Sequence, residues 1–386
     1  MMRIAVFHNR YRERGGEDAA VDAQVELLVK AGHEVRFCCV DNREEIQGIT
    51  GALRAGRFAR WNPATQARVA GWLDGFAADV AHVHNFFPLL SPSLHHALAE
   101  RGIPVVQTLH NYRLVCANAL LLREGAPCRE CVDRGPWRAL RYGCYRDSRV
   151  QTAVWSDLTA YHRRRGTWRD CVTRFVAPSE AARRELVAGG LPDAHTLVIP
   201  NPVADPGAPA APGEGGVYVG RLSREKGLDL LLDAWQRLGD TPLWIVGGGP
   251  EEARLRARAA ALPNVRFLGE VSRDRALAAF AGAAFAVVPS LALEVFGMTT
   301  LEAMASGRPV VVPRRSAMAE LVDPGRTGLA FESGDVASLA DACRALAQDP
   351  AAAAALGEEA RRDYEDLFAP DVVLAALEGL YASIRR

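Results

Sequence analysis

Two short stretches combine charged residues at spacings that suit the binding of a phosphorylated sugar. In Val219-Gly-Arg-Leu-Ser-Arg-Glu-Lys-Gly227, Arg221 and Lys226 lie between an apolar strand and a helical segment. At such a junction both cations can face one anion, and the first N–H groups of the helix add a favourable dipole. Arginine grips phosphate oxygens in a bidentate way, whereas lysine acts as a compact point charge. Two solvated loop cations would be the bland alternative. Of the 46 basic residues only Lys30 and Lys226 are lysine, which argues mildly against it. Further on, Glu294-Val-Phe-Gly-Met-Thr-Thr-Leu-Glu302 presents two carboxylates. Glu294 falls in a loop, and Glu302 about one turn into a helix expected from Met298 to Ser306. One carboxylate can accept hydrogen bonds from sugar hydroxyls and the other from a ribose, with helix N–H groups between them for phosphate. By spacing alone, a surface glutamate on an amphipathic helix reads the same.

A second group of candidates lies in the first half. In Tyr11-Arg-Glu-Arg-Gly-Gly-Glu-Asp18, Gly15 and Gly16 would let a ligand approach the backbone just before a helix begins. A turn that simply needs glycine is the alternative. His84-Asn-Phe-Phe-Pro88 and Thr108-Leu-His-Asn-Tyr112 each end an expected parallel strand, so His84 and His110 should face one side of a sheet. A lone histidine is usually a satisfied core residue; two at strand ends are harder to dismiss. His95 and His96 fall on a helix face and read as structural.

The elements that must position these residues alternate. Strands are expected at Ile4–Phe7, Glu34–Val40, Val80–Val83, Val105–Thr108 and Phe175–Ala177, with helices at Glu17–Ala31, Pro92–Arg101 and Ser179–Ala188. A proline- and glycine-rich stretch, Ala204–Gly216, reads as linker or surface loop. The alternation restarts with strands at Val217–Val219, Leu243–Val246, Val265–Leu268, Phe285–Val288, Pro309–Val312 and Leu329–Phe331, then a helical tail broken by Pro370. This pattern predicts an α/β chain of two Rossmann-like, doubly wound domains with a ligand cleft between them. Their expected extents are residues 1–200, with a cysteine-containing insertion over 111–148, and 201–369. A last helix over 370–386 is expected to pack back on the first domain.

Both charged motifs, in this order, resemble the donor site of retaining glycosyltransferases of family 4, which have the GT-B fold. The likeness covers the second half densely, including Gly247-Gly-Gly-Pro250 and Asn201-Pro-Val203. It implies that Arg221 and Lys226 neutralise the diphosphate leaving group, that Glu294 lies against the donor sugar and that Glu302 binds the ribose. Gly15, Gly16, Asn201, Gly220, Gly248, Phe296, Gly297 and Met298 would complete the donor site, those near Phe296 and Gly297 through backbone amides. His110 would lie close to the reacting sugar; Glu17, His84, Asn85 and Asn111 would meet the acceptor. In this family the leaving phosphate oxygen is argued to take the acceptor proton on the same face. No side-chain base is then obligatory, and the protein supplies positioning and charge stabilisation. No Asp-x-Asp motif stands in a suitable loop, so no catalytic metal cofactor is expected. Gly247-Gly-Gly249 lacks the Gly-x-Gly-x-x-Gly spacing of a dinucleotide dehydrogenase.

Cys116, Cys128, Cys131 and Cys144 fall in one loop-rich stretch, the middle pair with Cys-x-x-Cys spacing. Four thiolates so spaced can surround a structural Zn²⁺; free thiols or a disulfide pair are the alternatives. The family resemblance extends to a subgroup with a Gly-Gly-Glu-Asp motif and similar cysteines. Cys38, Cys39, Cys171 and Cys343 are expected on strands or helices as packing residues. The formal charge is zero, which gives no argument for a nucleic-acid partner. No signal peptide and no membrane span are expected, which suggests the cytoplasm. The arginines from Arg138 to Arg165, interleaved with Trp137, Tyr142, Trp155 and Trp168, are ordinarily a solvated face. The sharper reading is peripheral contact with an anionic membrane or a phosphate-bearing acceptor.

The resulting expectation is a transferase moving a hexose or N-acetylhexosamine from a UDP-linked donor to an acceptor hydroxyl. Cell-surface glycans and secondary metabolites, including aminoglycosides, are the expected products. A GT-B nucleotide-sugar 2-epimerase would need cleft acid/base carboxylates and lacks the Arg-Leu-Ser-x-Glu-Lys-Gly signature. A non-catalytic nucleotide-sugar-binding protein would not need Arg221, Lys226, Glu294 and Glu302 together.

Overall fold

A computed structural model describes residues 1–13 and 15–385. Arg14, within the Tyr11–Asp18 motif, and Arg386 lie outside the described residues. The chain divides into two compact units. Unit 1 comprises Met1–Leu121, Cys128–Pro202 and Val373 onward; unit 2 comprises Leu122–Pro127 and Val203–Val372.

Unit 1 is built on strands β1 (Arg3–Arg10), β2 (Glu34–Asp41), β3 (Val80–Val83) and β4 (Val105–Thr108). A hairpin follows in unit 2, β5 (Leu122–Arg123) with β6 (Ala126–Pro127), before β7 (Arg174–Ala177) and β8 (Thr196–Val198) complete the first sheet. That sheet is parallel throughout, in the order β2-β1-β3-β4-β7-β8. Its central strands are buried along their whole length, as parallel strands covered on both faces must be. Ile4, Val6, Val80 and Val106 pack with Val21 and Leu28 of helix Gly16–Lys30. Val373, Leu377 and Tyr381 of helix Pro370–Ile384 close the same core.

Unit 2 repeats the plan with β9 (Gly216–Val219), β10 (Leu243–Val246), β11 (Val265–Gly269), β12 (Phe285–Val287), β13 (Val310–Pro313) and β14 (Gly328–Phe331). The order is β11-β10-β9-β12-β13-β14, again parallel. Alternate residues divide between two cores. Tyr218, Phe285 and Val311 join Trp235 and Leu339. Val217, Ala286 and Val310 join Leu301 and Met304. This is the two-residue period of a strand read out as packing.

The structure refines some expectations. The Ala204–Gly216 stretch is largely exposed, as a surface loop, and it is strapped to unit 2. Arg308, 1% exposed, donates from Nη2 to the carbonyls of Ala210 (2.7 Å) and Ala281 (2.9 Å), and from Nε to Phe280 O (3.1 Å). Arg361 grips Asp205 with both terminal nitrogens, at 2.7 and 2.9 Å. Cys171 lies just past the short helix Thr167–Asp170, partly exposed, with its sulfur 3.4 Å from His96 Nδ1. By length and composition the run Pro350–Ile384 is long and apolar enough to cross a bilayer. It is divided into helix Pro350–Asp363, a π turn at Tyr364–Phe368 and helix Pro370–Ile384. Tyr364 fills a core of unit 2, and Val373 and Leu377 fill that of unit 1.

Arg308→Ala should cost unit 2 about 3 kcal/mol in urea unfolding, because buried carbonyls lose their donor. A loss under about 1 kcal/mol would show that the strap does not need this residue.

Unit 1 should also be acid-labile. His82 donates to or accepts from Thr108 Oγ1 (2.6 Å) and Tyr381 OH (2.5 Å). His95 meets Gln107 Oε1 at 2.8 Å, and His162 meets Arg60 O at 2.7 Å. Burial pulls His82 down to about 3, and His95 and His162 down to about 4. The unfolded chain takes up these protons near pH 6.5, so it binds more protons than the fold between about pH 6.5 and 4. Stability is therefore full above about pH 6.5 and is lost as pH falls, by up to about 1.4 kcal/mol per unit for each group. The thermal midpoint should fall from pH 7 to pH 5, and His95→Gln should flatten the slope. A pH-independent midpoint would contradict this.

Candidate active site

In unit 2 the charged motifs meet because β9 and β12 are adjacent in the sheet. The loop after β9 runs through a short 3-10 turn, Arg224–Lys226, to Gly227 and helix Leu228–Trp235. Gly227 has φ +73°, and a Cβ there would sit 2.0 Å from Pro289 O, at the start of the loop after β12. Only glycine permits that approach. The contact is tied by Leu291 N donating to Glu225 O (2.8 Å) and the Ser290 hydroxyl donating to the same carbonyl (3.2 Å). Above it, Lys226 Nζ donates to Glu294 Oε1 at 2.6 Å, and the Ser290 hydroxyl, its one proton shared between this oxygen and the Glu225 carbonyl, lies 2.8 Å from it.

The side chains of Lys226 and Glu294 are 30% and 23% exposed, so the pair is shielded but reachable. Burial alone would lower the Lys226 pKa; Glu294 outweighs it and raises it. Burial alone would raise Glu294; Lys226 and Ser290 hold it below the usual carboxylate range. Both groups are thus charged at neutral pH.

Arg221 is exposed on the same loop, and its carbonyl accepts from Tyr218 OH (2.8 Å). The loop lies against the glycines after β10: Gly220 N donates to Val246 O (2.9 Å) and Leu222 N to Gly248 O (2.8 Å). Gly247 has φ +130°, and its Cβ would meet Gly220 O at 2.0 Å. Gly297 precedes helix Met298–Ala305 without a side-chain cap, and Phe296 is buried in the core. Met298 begins that helix. Glu302, one turn on, is 20% exposed, with Arg273 Nη2 3.9 Å away. Burial raises its pKa, partly offset by Arg273. Asn201 is buried at the end of unit 1 rather than in unit 2.

In unit 1, β1, β3 and β4 deliver a polar cluster at their C-terminal ends. His84 Nδ1 and His110 Nε2 are 2.8 Å apart, and the rings of His82, His84 and His110 stack in sequence at 4.4 and 5.1 Å. Burial pulls His110 down to about 3 and His84 well below its ordinary value, so both imidazoles are neutral near pH 7. His84 Nε2 is buried without a partner. Glu17 Oε2 accepts from Tyr11 OH (2.9 Å) and Asn111 Nδ2 (3.0 Å). Burial raises its pKa, against the opposing charges of His8 and Arg113. A cavity of about 30 Å³ is lined by Glu17, His84, His110, Asn111 and Arg113, among others. Asn85 is committed to the backbone: Nδ2 donates to Asn9 O (2.6 Å), and Oδ1 accepts from Phe87 N (3.0 Å). It braces two loops, which sets it apart from the acceptor contact expected of it.

Sequence reasoning missed Ser290, four residues before Glu294, and Arg113, two after Asn111. Arg113 lies over the rings of Phe87 and Tyr145 at 5.4 and 5.6 Å, and its Nε is buried without a partner. It also missed His8, whose Nε2 is 2.8 Å from Asp18 Oδ1 and which fixes the start of helix Gly16–Lys30. Gly15 and Gly16 have no atom within 4 Å of a Cβ built on them, and neither has a left-handed φ. None of the four insertion cysteines is in a disulfide. Among the described residues no group of three or more His, Cys, Asp or Glu side chains is already arranged to hold a metal ion.

Residues 14–205 match the family described as Glycosyltransferase Family 4, and residues 214–349 match Glycosyl transferases group 1. The phosphatidyl-myo-inositol mannosyltransferase of Mycobacterium leprae is 29% identical over 380 residues, spanning 91% of this chain and 89% of its own. A glycogen synthase of Mycobacterium tuberculosis is 36% identical over 177 residues, 44% of this chain and 42% of its own. Among solved structures, Anabaena HepE in complex with UDP and glucose aligns over the full length of both chains, with a TM-score of 0.70 and 18% identity. Sucrose-phosphate synthase from Thermosynechococcus elongatus gives 0.73 and 20%, over 100% of this chain and 99% of its own. With a parallel doubly wound sheet in each unit and family matches that cover both, this chain belongs to the family 4, group 1 glycosyltransferases and has the GT-B fold.

Proposed function

We propose that the chain is a retaining transferase that moves a hexose or N-acetylhexosamine from a UDP-linked donor to an acceptor hydroxyl. The acceptor belongs to cell-surface glycan or secondary-metabolite assembly, an aminoglycoside-type aminocyclitol among the candidates. The observation that carries this reading is the Lys226–Glu294 contact at 2.6 Å, held over the junction of the β9 and β12 loops. An ammonium has three donors and Glu294 uses one, so Lys226 can keep its partner while it donates to a phosphate oxygen. Arg221 adds a second cation from the same loop. Together they offset the charge that grows on the diphosphate as the sugar leaves, the largest single effect a protein of this kind can supply. Glu294 fixes the lysine and accepts from a sugar hydroxyl. Glu302 takes the ribose. The departing phosphate oxygen accepts the acceptor proton, and neutral His110 donates or accepts one hydrogen bond at the sugar without titrating.

In unit 1, Glu17, held by Tyr11 and Asn111, is the acceptor-facing carboxylate, with His84 and Arg113 beside it. UDP is favoured because structural neighbours were crystallised with it. A mannosyl donor is the second reading, since a relative that spans most of the chain is named for mannose transfer. Assays with UDP-glucose, UDP-GlcNAc and GDP-mannose decide between them. The anomeric configuration of the product, read by NMR, tests retention. Epimer formed from UDP-GlcNAc without acceptor would favour the epimerase instead.

Lys226→Ala should lower kcat by about 10²-fold or more while circular dichroism stays unchanged. Wild-type turnover in this variant would refute the assigned role. Glu17→Gln should do two things at once. The folded pKa of Glu17 is raised, so the ionised carboxylate opposes folding above its unfolded pKa of about 4.3. Gln keeps an acceptor for Tyr11 and Asn111. The variant should therefore melt higher than wild type at pH 7, with no gain at pH 4, yet transfer about tenfold more slowly. A lower midpoint at pH 7 would overturn the buried-charge account, and unchanged transfer the acceptor role.

A further inference from the structure

Beneath His84 and His110 lies a second polar layer that the proposed function does not use. Side chains two apart on a strand share a face. His82 on β3 therefore stands below His84, and Thr108, which ends β4, stands below His110; the two strands are neighbours. The result is two rows. In the upper one His84 Nδ1 and His110 Nε2 are 2.8 Å apart. In the lower one His82 Nε2 and Thr108 Oγ1 are 2.6 Å apart. The His82 and His84 rings stack, 4.4 Å between centroids and 13° from parallel.

Two helices close the lower row. Gln24 Nε2, on helix Gly16–Lys30, donates to His82 Nδ1 at 2.9 Å. Tyr381 OH, on helix Pro370–Ile384, lies 2.5 Å from the same nitrogen. An amide nitrogen only donates, so Nδ1 holds the lone pair and also receives the Tyr381 proton. The ring proton then sits on Nε2 and is donated to Thr108. Held at both nitrogens, the His82 ring can neither flip nor turn. His82, Thr108, Gln24 and Tyr381 are all buried. Tyr381 stands in a core with Val21, Val80, Val106, Val373 and Leu377. A phenol hydroxyl in such a place costs free energy unless it is bonded, and phenylalanine would fill nearly the same space. A polar layer with every group paired fixes one geometry.

The upper row is left open. His84 Nε2 is buried without a partner, and His84 lines the cavity of about 30 Å³ beside Glu17 and Arg113. That volume suits about one water-sized group, such as the end of an alcohol. The direction of Nε2 follows from the plane of its ring. That plane is set by the bond to His110 and by the face of His82.

We propose that Tyr381 is a positioning residue: through His82 it fixes the ring of His84, whose Nε2 meets the acceptor hydroxyl. This rests on the acceptor reading of unit 1 given above. The last helix of the chain, which returns to unit 1 after unit 2 is complete, thereby supports the acceptor site.

NMR of the full-length protein, ¹⁵N-labelled at histidine and assigned with His84→Gln, tests the geometry without any ligand. His82 should show one neutral tautomer with its proton on Nε2, and His84 one sharp set of signals. Tyr381→Phe removes only the hydroxyl and should shift and broaden the His84 signals. Gln24→Met, which removes the other donor to Nδ1, should act in the same direction should Tyr381→Phe fold poorly. Leu377→Val loosens the same helix outside the polar layer; it should lower the thermal midpoint and leave His84 in place. Hydrolysis of UDP-glucose and GDP-mannose, with water standing in for the alcohol, should fall about fivefold or more in Tyr381→Phe while the Kd of UDP stays unchanged. His84 signals that do not move in Tyr381→Phe, or that move equally in Leu377→Val, overturn the proposal, as does hydrolysis at the wild-type rate. A wild-type chain that hydrolyses neither donor counts against the transferase reading alone, and the His84 signals still decide the role of Tyr381.

Discussion

The C-terminal edge of the sheet in unit 2 depends on one contact, the ion pair of Lys226 with Glu294 at 2.6 Å. The two residues are far apart in sequence and meet because their strands are neighbours at the centre of a parallel sheet. Parallel neighbours release their loops at the same edge, so a cation after one strand and an acid after the next fall side by side. At 30% and 23% exposure the pair contributes little to stability, of order 1 kcal/mol at most. Its consequence is positional. A lysine has a long, mobile stem, and an acid that fixes its end turns a diffuse charge into a placed one. The Gly227–Pro289 approach and the Glu225 carbonyl, shared by Leu291 and Ser290, hold the two loops in the register that the pair requires.

Much of this was legible in the sequence, for a definite reason. Strands covered on both faces read as largely apolar runs, so Val80–Val83, Val105–Thr108 and Leu243–Val246 stand out between polar segments, although the first two also bury His82, Gln107 and Thr108. Their ends then locate His84, His110 and the glycine loop. Helices Gly48–Phe58, Ala64–Trp72 and Arg149–Arg165 were not read: the first two keep most residues in water, and the third buries the polar Thr152, Ser156, Thr159 and His162, which break up an apolar stripe. Strand Thr196–Val198 escaped for a similar reason: it lies at the sheet edge, and Leu197 and Val198 are exposed. Partnership was harder still to see. Arg308 looks like one more arginine in an arginine-rich chain, and only the fold reveals that it is buried against the carbonyls of Phe280, Ala281 and Ala210.

The two units treat charge in opposite ways. Unit 2 presents formal charges on its loops, kept ionised because each has a partner or solvent. Unit 1 buries imidazoles deeply enough that they stay neutral, and its carboxylate Glu17 is pressed toward neutrality by the same burial. Neutral hydrogen-bonding groups orient an alcohol without competing for its proton, while fixed cations suit a departing diphosphate. A general base near neutral pH would be redundant if the leaving group itself takes that proton. A histidine held down to about 3 is poorly suited to be one in any case.

The glycines sharpen the same division. At Gly227 and Gly247 the fold itself demands glycine, since φ is positive and a Cβ would strike a carbonyl oxygen. At Gly15 and Gly16 it does not: the backbone is ordinary and the space beside each is open. Gly15 is the N-cap, a position where glycine is far better than alanine, and Gly16 is the first helical residue, so the helix start accepts both. At the N-terminus of helix Gly16–Lys30 the free N–H groups and the dipole favour an anion, and a bare backbone lets one approach. On the proposed reading, that open helix tip is where the donor phosphate would approach unit 1, and the absence of side chains at Gly15 and Gly16 keeps the approach clear.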